Sequence, residues 1–438
     1  MMLRSKNHVN MKNHTPPPQG KQAAGLLGGF KAIYRPDAKV ARFLSVLGFS
    51  GIAYGLYRGV QDNYLAEIVH INAFERGIVE FFREIPGLLV VFILAWMYRF
   101  SESRIFKIGI AIMTAGLIGL LCSGTGKFIV VLFMVVFSTG EHIIMPVRTT
   151  ISLDLAQKNK GGASLGITSA LSQVGNIAGF VLVTASFFVF SRLGYDRKDT
   201  VQFKVIFAAA AALMTAAVLI SLALKESTLK SSRRRFYFAR KFVKYYMLEV
   251  FYGARKQIFI TFAPYVLILR YGADTSIIAL LLAICALFSA LFSPIMGKLI
   301  DRLGYKFIMV TDTLILIVVC LLYGFAHRIF PPNIAYIVVC VNYVLDAIIS
   351  LASMASNVYV QDISGSQEEI TATLSTGISV NHVISILIAL LGGLIWNLVG
   401  IEVLFSLSAF LGLLNTLYAA TIKPAKAINP EGPGTPRE

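Results

Sequence analysis

Long apolar runs alternate with short polar breaks along this chain, and they predict helices over 41–64, 74–97, 105–123, 128–149, 163–190, 203–224, 245–269, 274–297, 305–326, 332–356, 370–396 and 401–421. The strict alternation of a β-strand is absent, so the pattern predicts an all-α protein of twelve helices. Crossing a hydrocarbon core of about 30 Å takes about 20 mostly apolar residues, with every backbone polar group satisfied inside the segment. Each run meets that length. The basic segment around Arg233, Arg234 and Arg235 parts the sixth run from the seventh, giving two six-helix bundles. The expected divisions are a cytoplasmic tail over 1–39, a first bundle over 40–225, a basic linker over 226–244, a second bundle over 245–422 and a cytoplasmic tail over 423–438.

Composition agrees with a membrane-embedded chain: of 438 residues 56% are hydrophobic and only 14% charged, with a mean hydropathy of +0.71. The formal charge of +17 invites a nucleic-acid reading, but most of the 40 Lys and Arg fall in the tails and the even-numbered loops. By the positive-inside rule this is a topology signal that puts both termini and the central loop in the cytoplasm. Phe236, Tyr237, Phe238 and Phe242, interleaved with Arg240, Lys241 and Lys244, also suit an interfacial helix on anionic lipid. The first 38 residues are polar, basic and proline-containing, so no cleavable signal is expected. Cys122, Cys285, Cys320 and Cys340 lie inside apolar runs without metal-ligand spacing and are expected to pack.

The halves align on each other. Tyr54-Gly55 corresponds to Tyr252-Gly253 at an offset of 198 residues, and Glu102 and Lys107 correspond to Asp301 and Lys306 at 199. Inverted or parallel repeats with a site at their interface are the architecture of alternating-access carriers. The turn after the eighth run, Gly297-Lys298-Leu299-Ile300-Asp301-Arg302-Leu303-Gly304-Tyr305-Lys306, resembles the signature of the major facilitator superfamily, departing from it at Tyr305, where the family has Arg. The equivalent first-half stretch keeps Glu102 and Lys107 only. The resemblance covers residues 40–422 and implies two bundles whose first, fourth, seventh and tenth helices line a central cavity. It also makes Gly297, Asp301, Arg302, Gly304, Lys306 and Glu102 candidate gating residues, with Asp301 capping a neighbouring helix N-terminus.

Ionisable residues inside the spans need a reason, because a charge in the bilayer is costly. Under the repeat, Arg58 falls on Lys256, and Glu141 nearly on Asp346. The expected cargo is an anionic or polyhydroxylated solute bound by Arg58, Arg255 and Lys256, since guanidinium and ammonium groups suit carboxylate or phosphate. Tyr54, Tyr252 and His382 are further candidates for cargo contact. Glu141, Asp346 and Glu84 are candidates for proton coupling. Against this stands the simpler reading that buried acids and bases pair with each other, as Arg58 with Glu141. Glu80, Arg83 and Glu84, with Arg58 and Asp62 one turn apart, suit an interhelical structural or gating network. His142 is a possible cavity residue, and Arg148 marks a span boundary. Gly175 with Gly179, and Gly162 with Gly166, have the spacing of close helix packing.

No nucleotide-binding loop or metal motif is present, so no cofactor, metal or enzymatic activity is expected. The expected function is a secondary active transporter for a small polar solute, an organic anion first, driven by a proton or solute gradient. An exporter of amphipathic drugs or lipids is the alternative within transport, and a non-transporting sensor or scaffold lies outside it. The expected partners are a small-molecule substrate, H+ and the lipid bilayer, without nucleic acid. The expected setting is the cytoplasmic (inner) membrane of a prokaryote, as a multi-pass monomer.

Overall fold

The computed structural model describes residues 32–34, 37–224 and 238–422. The basic run Arg233–Arg235 and most of both tails lie outside the described residues. Twelve long helices follow in order: α1 (Ala38–Asn63, extended by a π turn Tyr64–Ile68), α2 (Ala73–Trp96), α3 (Glu102–Cys122), α4 (Lys127–Leu155), α5 (Gly161–Arg192) and α6 (Thr200–Leu222) in the first half. The second half has α7 (Val243–Tyr271), α8 (Thr275–Leu303), α9 (Tyr305–Ile329), α10, α11 (Gln367–Val399) and α12 (Ile401–Ala420). Helix α10 is broken, running from Pro332 to Ile349, through a 3-10 turn Ser350–Ser353, and on over Met354–Ile363. No strand occurs among the described residues; Tyr34 and Ala156 form an isolated bridge.

Local chemistry sets the helix ends. Asn72 and Glu75 cap α2 reciprocally, each side chain accepting the other's backbone N–H, which satisfies two of the donors a helix start leaves open. Asp199, Asp274 and Ser366 accept backbone N–H groups at the starts of α6, α8 and α11. Gly304, at φ +82°, turns the chain from α8 directly into α9, a left-handed conformation that disfavours any side chain.

Ten of the twelve helices are long and apolar enough to cross a membrane. The two that fall short are α2 and α7, and both carry ionisable residues along their length: Glu75, Arg76, Glu80, Arg83 and Glu84 on one, Lys244, Glu249, Arg255, Lys256 and Arg270 on the other. In compensation both lie where the halves meet. Helix α2 packs along α11 and α5 along α8, while α4 and α10 share no comparable packing.

Within the first half α1 and α5 approach backbone to backbone. A Cβ on Gly175 would stand 2.9 Å from the Cα of Gly51, and one on Gly55 would overlap the carbonyl of Asn176. The Gly175/Gly179 spacing therefore marks a true contact, whereas Gly162 and Gly166 face open space. That second pair corrects the packing expectation; both lie at the start of α5, where the contact with α4 is made by Ser164 on Ser152 instead. Phe242 is also corrected. It is fully buried with Tyr245, Ile300 and Tyr359 rather than lying on lipid, while Phe238 is exposed and stacks on Tyr246 with ring centroids 4.6 Å apart.

Candidate functional site

Helix α2 places Arg76, Glu80, Arg83 and Glu84 along one face, because residues three and four apart share a helix side. Arg76 bridges two acids: its Nη2 lies 3.1 Å from Asp62 Oδ1 on α1, and its Nη1 lies 2.9 Å from Glu80 Oε2. Arg83 donates to Glu80 Oε1 at 2.6 Å and to Glu84 Oε1 at 2.5 Å. Arg76 and Glu80 have no solvent exposure at all, so each must have partners, since a lone buried charge is strongly destabilising. The Tyr265 ring of α7 lies under the Arg76 guanidinium at 5.5 Å, and Gln257 of α7 donates to Glu80 Oε1 at 3.2 Å. Of the network expected of Glu80, Arg83, Glu84, Arg58 and Asp62, all but Arg58 are joined, with Arg76 at the centre. Sequence reasoning passed over Arg76 as a span-edge residue; its i, i+4 spacing to Glu80 was the available signal.

Arg58 stands apart from these bridges, donating to the neutral Gln61 at 2.7 Å. It does not pair with Glu141, whose Oε2 is 3.8 Å from Arg83 Nη1. In the second half Arg255 Nη1 donates to Asp346 Oδ1 at 2.9 Å, and its Nη2 lies 3.4 Å from Ser350 Oγ at the α10 break. Lys256, half-buried, makes no ion pair among the described residues; its Nζ lies 6.0 Å from the centre of the Tyr252 ring, which Arg255 also overhangs at 5.2 Å. The two cations equivalent under the repeat, Arg58 and Lys256, both lack a carboxylate, as does Arg148 of α4, which donates to Ser172 Oγ at 3.3 Å, while Arg76, Arg83 and Arg255 are paired.

Between the halves, His382 Nδ1 of α11 meets Glu84 Oε2 at 3.0 Å. His142 of α4 turns its Nδ1 to the Ser138 carbonyl at 2.8 Å, and the two imidazoles stand edge to face at 5.3 Å. Gly87 makes room for both, since a Cβ there would come within 2.6 Å of His142 and 3.0 Å of His382. Glu84, His142 and His382 offer ligand-type atoms within 4.8 Å of one another. The hydrogen bonds to Ser138 and within the Glu84–His382 pair account for how they are oriented.

Two cavities open beside these groups. One of about 330 Å3 in the first half is lined by Tyr54, Glu141, Arg148, Ser172, Gln173 and Asn176. The other, about 380 Å3 in the second half, is lined by Tyr252, Lys256, Asp346, Cys285, Tyr343 and Ser350 with Phe259, Ile260 and Leu351. Volumes of this size suit small organic molecules.

The halves are joined at the end remote from the termini. Asn63 donates to the Ala273 carbonyl at 3.1 Å, and Thr184 and Ser276 exchange hydrogen bonds at 3.3 Å. Gly77 and Gly393 let α2 and α11 touch, a Cβ on Gly77 overlapping the Ala389 carbonyl. At the terminal end the expected gating turn is disengaged. Asp301 and Arg302 are exposed and Gly297 faces open space. Among the described residues Asp301 caps no helix, and the N-cap of α9 is Gly304 with no side-chain bond. Tyr305, the departure from the signature, is instead fastened: its hydroxyl donates to Asp362 Oδ2 at 2.8 Å at the end of α10. In the first half Lys107 Nζ reaches the Leu222 carbonyl at 3.3 Å, and Glu102 is buried in the first turn of α3.

Among curated proteins no relative is detected. Solved structures with a similar fold include the nucleoside transporter NupG, at 14% identity, a TM-score of 0.69 and coverage of 88% of this chain and 98% of that one. A POT family transporter in complex with 5-aminolevulinic acid is 13% identical, with a TM-score of 0.67 and coverage of 87% and 94%. A bacterial homolog of the human lysosomal transporter Spinster, in an inward-facing and unoccupied conformation, is 13% identical, with a TM-score of 0.63 and the same coverages. The family model of the Major Facilitator Superfamily matches residues 245–437. The second half of this multi-pass membrane protein thus matches the superfamily's model, and the twelve-helix fold of the described residues is similar to that of these transporters.

Proposed function

We propose that the chain is a secondary active transporter that carries a small organic anion by alternating access, with Arg58 and Lys256 as the cations that meet the cargo. The observation that supports this most is that these two, equivalent under the internal repeat, lack carboxylate partners while Arg76, Arg83 and Arg255 are paired. An anion between them would supply the missing charge, through parallel N–H bonds from the guanidinium and a point contact from the ammonium. Tyr54 and Tyr252, each on a cavity wall, would flank it. The arrangement at hand, closed at the remote end and disengaged at Asp301, corresponds to a state open toward the termini, which the positive-inside pattern assigns to the cytoplasm. Glu84, Glu141 and Asp346 are the carboxyls placed to couple a proton to the cycle. The chain would act as a monomer in the cytoplasmic membrane, without enzymatic chemistry.

The decisive experiment is thermal unfolding of the purified protein across a panel of small solutes, for wild type and for Arg58→Gln with Lys256→Gln. A ligand that binds only the folded state raises Tm. Stabilisation by anions that is lost in the double variant supports the reading, and uptake of the same anions into proteoliposomes follows. Phe259, Ile260 and Leu351 on the second cavity's wall favour the second reading, an exporter of amphipathic molecules. Stabilisation by apolar cations or lipids, unchanged in the variant, would select it.

A further inference from the structure

Tyr252 borders two spaces. One is the larger cavity with Lys256 and Asp346; the other is a pocket of about 20 Å3 lined by α7, α9, α10 and α12. A single water-sized particle needs about 10–15 Å3, so the pocket holds one such particle. Its polar lining is rich in oxygen: Glu249 from α7, Asp312 from α9, Ser353 and Ser356 from α10, and Asn415 from α12.

Two of these oxygens are anomalous. Asp312 Oδ1 and Asn415 Oδ1 are both cut off from solvent and without any hydrogen-bond partner. Buried acceptors of this kind are rare and call for an explanation, since an unmet carboxylate oxygen in an apolar interior is expensive. Glu249 is partly met, by Ser356 at 3.4 Å and Asn381 at 3.3 Å. Neither acid has an ion-pair partner among the described residues: Arg255 is paired with Asp346, and Lys256 stands over the Tyr252 ring at 6.0 Å. A third feature is independent of the acids. Helix α10 loses its α-helical register at Ser350–Ser353, on the pocket's wall, and breaks of this sort in membrane helices turn backbone carbonyls toward ions.

We propose that this pocket is a binding site for one dehydrated monovalent metal cation of the sodium class, with Asp312 and Asn415 as its principal ligands and Glu249 and Ser353 completing the shell. The pocket is too small for a magnesium ion with its retained waters, and it lacks the six to eight free oxygens that calcium takes. Binding would draw α9 and α12 onto the α10 break. Ser350, at the start of the same turn, is the residue that Arg255 contacts as it holds Asp346, so occupancy would be felt at the cargo cavity. The site goes beyond the proposed transport reading, and its existence can be tested with no cargo present.

The test is Tm of the purified full chain in sodium, lithium, potassium and choline chloride at equal ionic strength, together with equilibrium binding of radioactive sodium, for wild type, Asp312→Asn and Asn415→Ala. The expected result is a saturable rise of several degrees in sodium or lithium over choline, with sodium bound in proportion to the chain, and loss of both in either variant. Should Asp312→Asn fail to fold, Asn415→Ala carries the comparison alone. Equal Tm in sodium and choline for the wild type would overturn the proposal, as would a sodium effect that survives in the variants. Stabilisation by acid with no response to any metal cation would overturn it too, showing that the carboxyl holds a proton. None of these outcomes bears on anion binding by Arg58 and Lys256, so the two readings fail separately.

Discussion

His382 Nδ1 lies 3.0 Å from Glu84 Oε2, and this contact joins the eleventh helix to the second across the divide between the halves. Glu84 is held at the same time by Arg83 of its own half. When the halves part, the imidazole leaves and the carboxylate faces the opened cavity with one partner fewer, which is the change a proton-coupling group requires. Glu84→Gln keeps the volume and removes the titrating group. Gradient-driven accumulation in proteoliposomes is expected to fall at least tenfold while solute exchange at equal pH persists; loss of both, or of neither, would remove Glu84 from the coupling role.

Arg76 is expected to matter for stability rather than cargo. Replacing it with Met leaves buried Asp62 charged without its cation, and Glu80 with Arg83 alone. Breaking a buried pair in this way costs about 3–5 kcal/mol. A large drop in Tm is therefore expected for Arg76→Met, with partial recovery when Asp62→Asn is added. An unchanged Tm in the single variant would show that the network carries little of the fold's stability.

Gly77 is a conformational probe. A Cβ there has no room against the Ala389 carbonyl, and it would stand 3.2 Å from the Gly393 Cα, both in the other half. Gly77→Ala should leave each half folded but wedge the remote end open. Spin labels on the loops at 69–72 and 272–274 should report a longer distance than in wild type, and Gly166→Ala, in open space, should report no change.

Cys285 lines the second cavity beside Lys256 and Asp346. In a background with Cys122, which is exposed, changed to Ser, a small methanethiosulfonate reagent should modify Cys285, and saturating cargo should slow that reaction several-fold. Modification at an equal rate with and without cargo would place the solute elsewhere.

The twelve helices were legible because their apolar runs are long, ten of them apolar enough to cross a membrane, and that signal needs no tertiary information. Helix ends were less so. Helix α4 continues to Leu155 and α10 to Ile363, well past their apolar runs, since hydrogen-bonded helix persists where the residues turn polar. The acid–base set was legible as residue types, but its pairing was not: Arg255 and Asp346 are 91 residues apart in sequence, and only the packing of α7 beside α10 joins them. Asp312 and Glu249 escaped because a single acid within a long apolar run barely alters its hydropathy. The internal repeat did point to Arg58 and Lys256, but it could not show that their neighbours' charges are otherwise engaged.

The Arg76 bridges, to Asp62 and Glu80, run entirely within the first half. From the second half only neutral Gln257 and the Tyr265 ring reach them. Swinging the halves apart therefore breaks neither bridge; among the described residues it gives up a few hydrogen bonds from neutral groups, the Glu84–His382 contact and the pair of Arg197 with Asp274. The ledger of strong charges is settled before the machine moves. Turnover should accordingly depend weakly on ionic strength, with its barrier set by how the glycine seams of α2 and α11 unzip and rewet.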